Sequence, residues 1–218
     1  MYNLCYGFVS LVNQMVGILD YGIGNIGSIK NMLSKIGEKN TIFLEKPDDF
    51  DKIDKIILPG VGSFDKGMHL LDESGMRAKL DEQVLKLHKP VLGICLGMQM
   101  LGMQSEEGKE KGLGYIDFSC RKFHFEDNRL KVPHMGWDYV DVLEDEPLVR
   151  NLGEKPRFYF VHSYYAICQN PEDVLLTCDY GHDFVAAVHH NNIYGTQFHP
   201  EKSHAFGMRL FENFIKEI

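Results

Sequence analysis

The sequence predicts an α/β fold: a doubly wound, mostly parallel sheet with helices on both faces, continuing into a mixed or antiparallel C-terminal half. Three observations lead to it. Short apolar runs alternate with amphipathic helical stretches from Met15 to Met103, the pattern of strands laid parallel by crossover helices. One of those runs, Val91 to Ile94, passes into a helical pattern with no linker, through Gly93-Ile94-Cys95-Leu96-Gly97. Beyond Asp117 the periodicity changes to short strands broken by turns.

Val16 to Asp20 reads as the first strand. It runs into Asp-Tyr-Gly-Ile-Gly-Asn-Ile-Gly-Ser, where Gly22, Gly24 and Gly27 match G-x-G-x-x-G. No acidic residue closes a clear second strand to take a ribose, so a tight strand-to-helix turn is the better reading than a dinucleotide site. The helix Ile26 to Ile36 follows and Gly37 ends it in the C′ position. Thr41 to Leu44 and Lys55 to Leu58 are the next strands. The latter ends in Pro59-Gly60-Val61-Gly62, a glycine turn able to present backbone N–H groups to an anion. Helical stretches at Phe64 to Leu71 and Met76 to Leu87 precede the cysteine strand. In the C-terminal half, strands are expected at 122–125, 137–142, 158–166, 174–180, 184–189 and 193–198. A final helix runs to the C-terminus, with Ser203 as its N-cap.

Residues 15–218 are expected to form one domain, with residues 1–14 expected as an N-terminal extension, disordered or the product of an upstream start. They lack the basic n-region of a signal peptide, and no apolar run has the roughly 18 to 20 residues that span a bilayer. A cytoplasmic location is expected. The net charge of −8, without any Lys/Arg cluster, argues against a nucleic-acid partner. The five cysteines, at 5, 95, 120, 168 and 178, show no C-x-x-C spacing, which suggests reduced thiols and neither a disulfide framework nor a metal site. No cofactor is expected.

The chemistry centres on Cys95. A strand turning straight into a helix crowds the backbone, so the residues two positions either side must be small, as in the nucleophile elbow. The cysteine then stands over the first free amides of the helix, which favour a thiolate and later an oxyanion. A thiol nucleophile needs a base, and the base a group to hold its tautomer. Of ten histidines, His199 closes a strand and is followed by Pro200-Glu201. Proline favours extended geometry there, and residues two apart in an extended run face one side. Cys95, His199 and Glu201 therefore form a complete acyl-transfer set.

With those residues in place, the chain from Met15 to Ile218 resembles the class I, triad-type glutamine amidotransferases. Gly-Ile-Cys-Leu-Gly-Met-Gln (93–99) and Gln-Phe-His-Pro-Glu-Lys-Ser (197–203) match the triad motifs. Within that family, four further stretches are most similar to the glutaminase subunit of imidazole glycerol phosphate synthase. These are Asp-Tyr-Gly-Ile-Gly-Asn (20–25), Leu-Pro-Gly-Val-Gly-Ser-Phe (58–64), Pro-His-Met-Gly-Trp (133–137) and Phe-Tyr-Phe-Val-His-Ser-Tyr (158–164). The resemblance implies that Cys95 attacks the side-chain amide of glutamine and that glutamate and ammonia are released. It implies an oxyanion hole from Leu96 and the Gly60, Val61 and Gly62 loop. Gln99, Glu107, His162 and Ser163 would bind the substrate. It further implies a heterodimer with a (β/α)8 synthase subunit, which takes the ammonia to make imidazole glycerol phosphate and an aminoimidazole carboxamide ribonucleotide in histidine biosynthesis. Asn25, Trp137, Asp138, Tyr159 and Lys202 match its docking surface.

The chain departs from the family at Asp138, where asparagine is usual, and over residues 112–121. Neither change touches the triad. Both leave room for a paralogous glutaminase subunit feeding another synthase, such as one aminating a surface-polysaccharide sugar. A pyridoxal-phosphate-type glutaminase fits the Trp137 and Tyr159 motifs poorly. Outside the class, a free-standing cysteine hydrolase would work without a partner, and a non-catalytic module would not need an intact triad.

Overall fold

A computed structural model describes residues 14–126 and 130–218. The expected extension at 1–14 lies, except for Gln14, outside the described residues. The first half follows the predicted alternation: β1 (Val16–Leu19), α1 (Ile26–Lys35), β2 (Thr41–Leu44), β3 (Lys55–Gly60), α2 (Phe64–Glu73), α3 (Arg77–Asp81), β4 (Val91–Cys95) and α4 (Leu96–Leu101). β5 (Gln104–Ser105) and β6 (Phe118–Lys122) lead into β7 (His134–Tyr139), β8 (Asp141–Val142), β9 (Arg157–His162) and β10 (Tyr164–Cys168). β11 (Val174–Asp179), β12 (Asp183–His190), β13 (Ile193–Thr196) and α5 (His204–Lys216) complete the chain.

Strands β2, β1, β3, β4 and β13 lie side by side and parallel. The sheet continues antiparallel through β12, β10 and β6, with β11 on a branch from β12. Both faces of the parallel half are buried, which is why its strands read as unbroken apolar runs. Ile18, Ile57 and Ile94 pack with α1 and α5 on one face, through Ile29, Leu33, Leu210 and Phe214. Leu19, Ile56 and Leu58 pack on the other with Phe64 and Met68 of α2, Leu80 of α3 and Leu101 of α4.

Several boundaries differ from expectation. The strand expected at 122–125 is 118–122, ending where Lys122 N–H meets the Glu106 carboxylate. The helix from Met76 is α-helical only to Asp81 and widens to a π turn over Glu82–Lys86. The single strand expected over 158–166 is two. β9 pairs with β7 in a separate two-stranded ribbon, β10 joins the main sheet, and Ser163 alone divides them. Ser203 does stand at the start of α5, but its hydroxyl does not cap the helix. It donates to the His199 carbonyl at 2.6 Å and accepts the Tyr159 N–H at 3.0 Å. Gly37 sits after α1 with φ of +90°, as the C′ role requires.

The C-terminal end of α5 is closed by a buried cation. Lys55 Nζ donates to the carbonyls of Phe214 at 3.0 Å and Ile215 at 2.6 Å. Burial pulls Lys55 down to about 8, against the acids Asp54 and Glu38, which raise it. Between pH 8 and 10 the unfolded chain holds a proton that the folded lysine has released. Stability should therefore rise with pH there, by up to about 1.4 kcal/mol per pH unit. Urea unfolding of wild type and Lys55→Met across that range should show the rise in wild type alone; the difference isolates this lysine from other groups titrating there.

Candidate active site

The site lies at the carboxyl edge of β3, β4 and β13, where a doubly wound sheet opens. β4 ends at Cys95, whose φ of +55° and ψ of −110° lie outside the regions open to most L-residues. α4 begins at the next residue. The turn is possible because a Cβ on Gly97 would lie 1.9 Å from the Leu58 carbonyl, and one on Gly93 would lie 2.8 Å from the Gly97 oxygen. No side chain fits at either place, so the strain at Cys95 is held by the packing of β3 against α4.

His199 and Glu201 arrive from beyond β13. The His199 Nδ1 lies 2.8 Å from Glu201 Oε1, and both side chains are almost wholly buried. Burial alone would depress this imidazole. Interaction with the Cys95 sulfur and the Glu201 carboxylate outweighs burial and holds His199 up at about 9. Its Nε2 makes no protein hydrogen bond among the described residues, nor does Glu201 Oε2. A buried ring nitrogen beside a thiol, without a bond of its own, is available to a proton in transit. The turn over Pro200–Lys202 keeps both side chains together, so the extended run expected there is a single helical turn in its place.

A cavity of about 320 Å³ opens over the sulfur. It is lined by Cys95, Leu96, Gln99 and His199, by Val61 and Gly62 of the glycine turn, by Glu107, and by His162, Ser163 and Tyr164. Of the expected oxyanion residues, Gly60 does not reach the cavity. It closes β3 opposite Cys95, packed against the backbone of Gly97, while Val61 and Gly62 form the exposed lip. Glu107 is more than a loop acid: its Oε2 accepts the Phe64 N–H at 2.8 Å and ties the loop to the start of α2. Gln99 is buried and shares its amide with Gln197 Oε1 at 3.0 Å and the Tyr164 carbonyl at 3.3 Å.

Three supports were missed in the sequence. Tyr21, in the glycine turn after β1, donates to the Pro59 carbonyl at 2.6 Å and braces the Val61–Gly62 lip from beneath. That gives the G-x-G-x-x-G stretch a structural purpose without a nucleotide. Gln197 points its Nε2 at Cys95 Sγ, 3.8 Å away. His134 packs behind His162, with ring nitrogens 3.1 Å apart. A tyrosine in a turn, a glutamine before a known motif and a histidine within one carry no periodicity that would single them out.

Of the residues matched to a docking surface, Trp137, Asp138 and Tyr159 lie on the β7–β9 ribbon, and Lys202 and Asn25 lie in the turn after β13 and at the start of α1. Trp137 is opposite Tyr159 in register, is 38% exposed, and stacks on the His204 ring. Lys202 lies over the Tyr159 ring and Arg157 over Trp137. Met135 and Tyr139 extend this exposed apolar face. Asn25 opens α1, which packs against the Pro200–Lys202 turn. Asp138 turns off the aromatic face to meet His134 at 2.7 Å. Among the described residues no helix is long and apolar enough to cross a membrane, and no cluster of His, Cys, Asp or Glu could hold a metal ion.

The family model described as glutamine amidotransferase class-I matches residues 17–218. The chain is 51% identical over 202 residues to imidazole glycerol phosphate synthase subunit HisH 2 of Pseudomonas aeruginosa, covering 93% of this chain and 99% of that one. It is 53% identical over 203 residues to the HisH 2 subunit of Methanococcus maripaludis, covering 93% and 100%. It is 47% identical over 202 residues to the HisH subunit of Leptospira interrogans, covering 92% and 98%. Among solved structures, a glutamine amidotransferase superposes with a TM-score of 0.73 at 19% identity, covering 93% of this chain and 97% of that one. PurLQS from Thermotoga maritima superposes with a TM-score of 0.70 at 18% identity, covering 94% and 98%; both show the fold alone.

Gly97→Ala should cost about 3 kcal/mol or more, because the added methyl has only the Leu58 carbonyl to displace. Thermal unfolding of the variant checks this, with Gly27→Ala, where nothing lies within 4 Å, as the tolerated control.

Proposed function

The chain belongs to the class-I glutamine amidotransferases, and from that premise we propose that it is the glutaminase subunit of an imidazole glycerol phosphate synthase, with Cys95, His199 and Glu201 as its triad. One observation carries the proposal. A cysteine held in a strained elbow shares a 320 Å³ cavity with a histidine that is itself bonded to a buried glutamate. The Cys95 sulfur attacks the γ-carbonyl of glutamine and forms a tetrahedral adduct. The Leu96 N–H and the backbone of Val61 and Gly62 receive the oxyanion; one such donor is worth about 3 to 4 kcal/mol. His199, cationic below about pH 9, gives its proton to the departing nitrogen, so ammonia leaves and a γ-glutamyl thioester remains. Water, deprotonated by the same imidazole, then releases glutamate. Glu201 holds the ring with Nε2 toward the sulfur and supports its cationic form.

Gln99, Glu107, His162 and Ser163 bind the glutamine, with the Glu107 carboxylate suited to its ammonium. The exposed ribbon of Trp137, Tyr159 and Met135, flanked by Lys202 and Asn25, is the docking face for a (β/α)8 synthase subunit that receives the ammonia. Asp138, at the base of that ribbon, joins it to the pocket wall. The names carried by the relatives do not favour a different acceptor synthase. The setting is cytoplasmic and the assembly a heterodimer.

Purified chain should release glutamate slowly from glutamine alone and faster with the synthase of the histidine pathway added. High activity without a partner, or stimulation only by a different synthase, would overturn the assignment. Cys95→Ser should reduce turnover by at least about a thousandfold while leaving the fold intact by circular dichroism. Because His199 sits near 9, kcat/KM for wild type should hold to about that pH and fall above it as the proton donor is lost. Glu201→Gln should move that fall to lower pH and cut kcat on the order of a thousandfold.

A further inference from the structure

Behind the cavity wall runs a chain of short contacts that ends at the docking ribbon. The Tyr164 carbonyl is 2.8 Å from His162 Nδ1, His162 Nε2 is 3.1 Å from His134 Nδ1, and His134 Nε2 is 2.7 Å from Asp138 Oδ2. His134 is buried, stacked between Phe160 and Tyr180, and paired with His162 across β7 and β9. Gly136, between His134 and Asp138 on that face, has no side chain to separate them.

A proton count follows from these contacts whichever tautomers are chosen. A carbonyl oxygen and an ionised carboxylate only accept, and a neutral imidazole carries one N–H. Three contacts between four groups need three protons. Two neutral imidazoles supply two, so an ionised Asp138 leaves one contact with acceptor facing acceptor. An asparagine at this position would supply the third from its own amide and satisfy the chain while neutral. Aspartate cannot.

We infer that His134 and Asp138 hold one additional proton between them, and that they act as positioning residues for His162 in the wall of the glutamine pocket. The inference deepens the glutaminase reading and rests on it for the pocket's substrate. Burial holds His162 down at about 3, so the proton does not settle on that ring. Burial also lowers His134, which Asp138 opposes, and the half-exposed carboxylate is the end of the chain nearest solvent. From neighbouring elements, the titratable groups facing the trio are Tyr180, stacked on His134, Cys178, which feels the Asp138 charge, and His199, which acts on His162. Loss of the proton as pH rises leaves one of the three contacts with two acceptors facing each other, in the pair of strands that joins the ribbon to the pocket wall.

Histidine-ring ¹⁵N and Asp138 carboxyl ¹³C spectra of the intact chain count these protons without turnover. Wild type should show three, then a single step to two as pH rises, in which the His162 Nδ1–H loses its protection from exchange. Asp138→Asn should hold two imidazole N–H protons on these rings with no such step. Two protons with an ionised Asp138 at neutral pH, or the same step in Asp138→Asn, would overturn the inference. Across the step, KM for glutamine should rise about tenfold in wild type and stay level in Asp138→Asn, as expected for an unsatisfied buried acceptor. Level values in both would reduce the trio to a structural element and overturn its positioning role. A chain that turns over no glutamine yet shows the three-proton count would refute the glutaminase reading and leave the proton assignment standing.

Discussion

The approach of the Leu58 carbonyl to Gly97 is the contact on which the site depends. It lets α4 lie against β3 so closely that the chain has no room for a linker between β4 and its helix. Cys95 then takes a positive φ that solution conformers of cysteine rarely adopt, and its sulfur is presented at the mouth of the sheet. The same closeness fixes Gly60 under the elbow and turns Val61 and Gly62 outward. Nucleophile and anion loop are thus two results of one backbone packing.

The histidine and glutamate are built differently. They come from a single helical turn after β13, and their pairing is nearly dry. Removing a carboxylate from water is costly, and a matched imidazolium offsets that cost. The pair works as a unit, and the Cys95 sulfur and the Glu201 carboxylate together keep the imidazole protonated. The Ser203 hydroxyl, bonded to the His199 carbonyl and the Tyr159 N–H, locks this turn to the ribbon.

Much of this was legible in the residues. Strand–helix alternation fixed the parallel half, since burial on both faces leaves an unambiguous apolar run in β1, β3 and β4. The glycines around Cys95 announced their own steric reason. The C-terminal half was harder to read, because partly exposed strands such as β6 and β9 leave no sharp edge in hydrophobicity. Phe158 to Ala166 looked continuous, and only the partner strands reveal that it serves two sheets. The roles of Tyr21, Gln197 and His134 lay beyond local pattern altogether, as each acts on a residue far away in the chain.

That division at Ser163 places two sheets edge to edge at the site. β9 belongs to the ribbon and β10 to the central sheet, and along the chain only Ser163, on the cavity wall, lies between them. The ribbon is itself anchored, because Phe158 and Phe160 of β9 are buried in the core beneath its exposed aromatic face. The corner between ribbon and sheet therefore sits beside the thiol as part of one packed body, with Ser163 in the lining of the cavity.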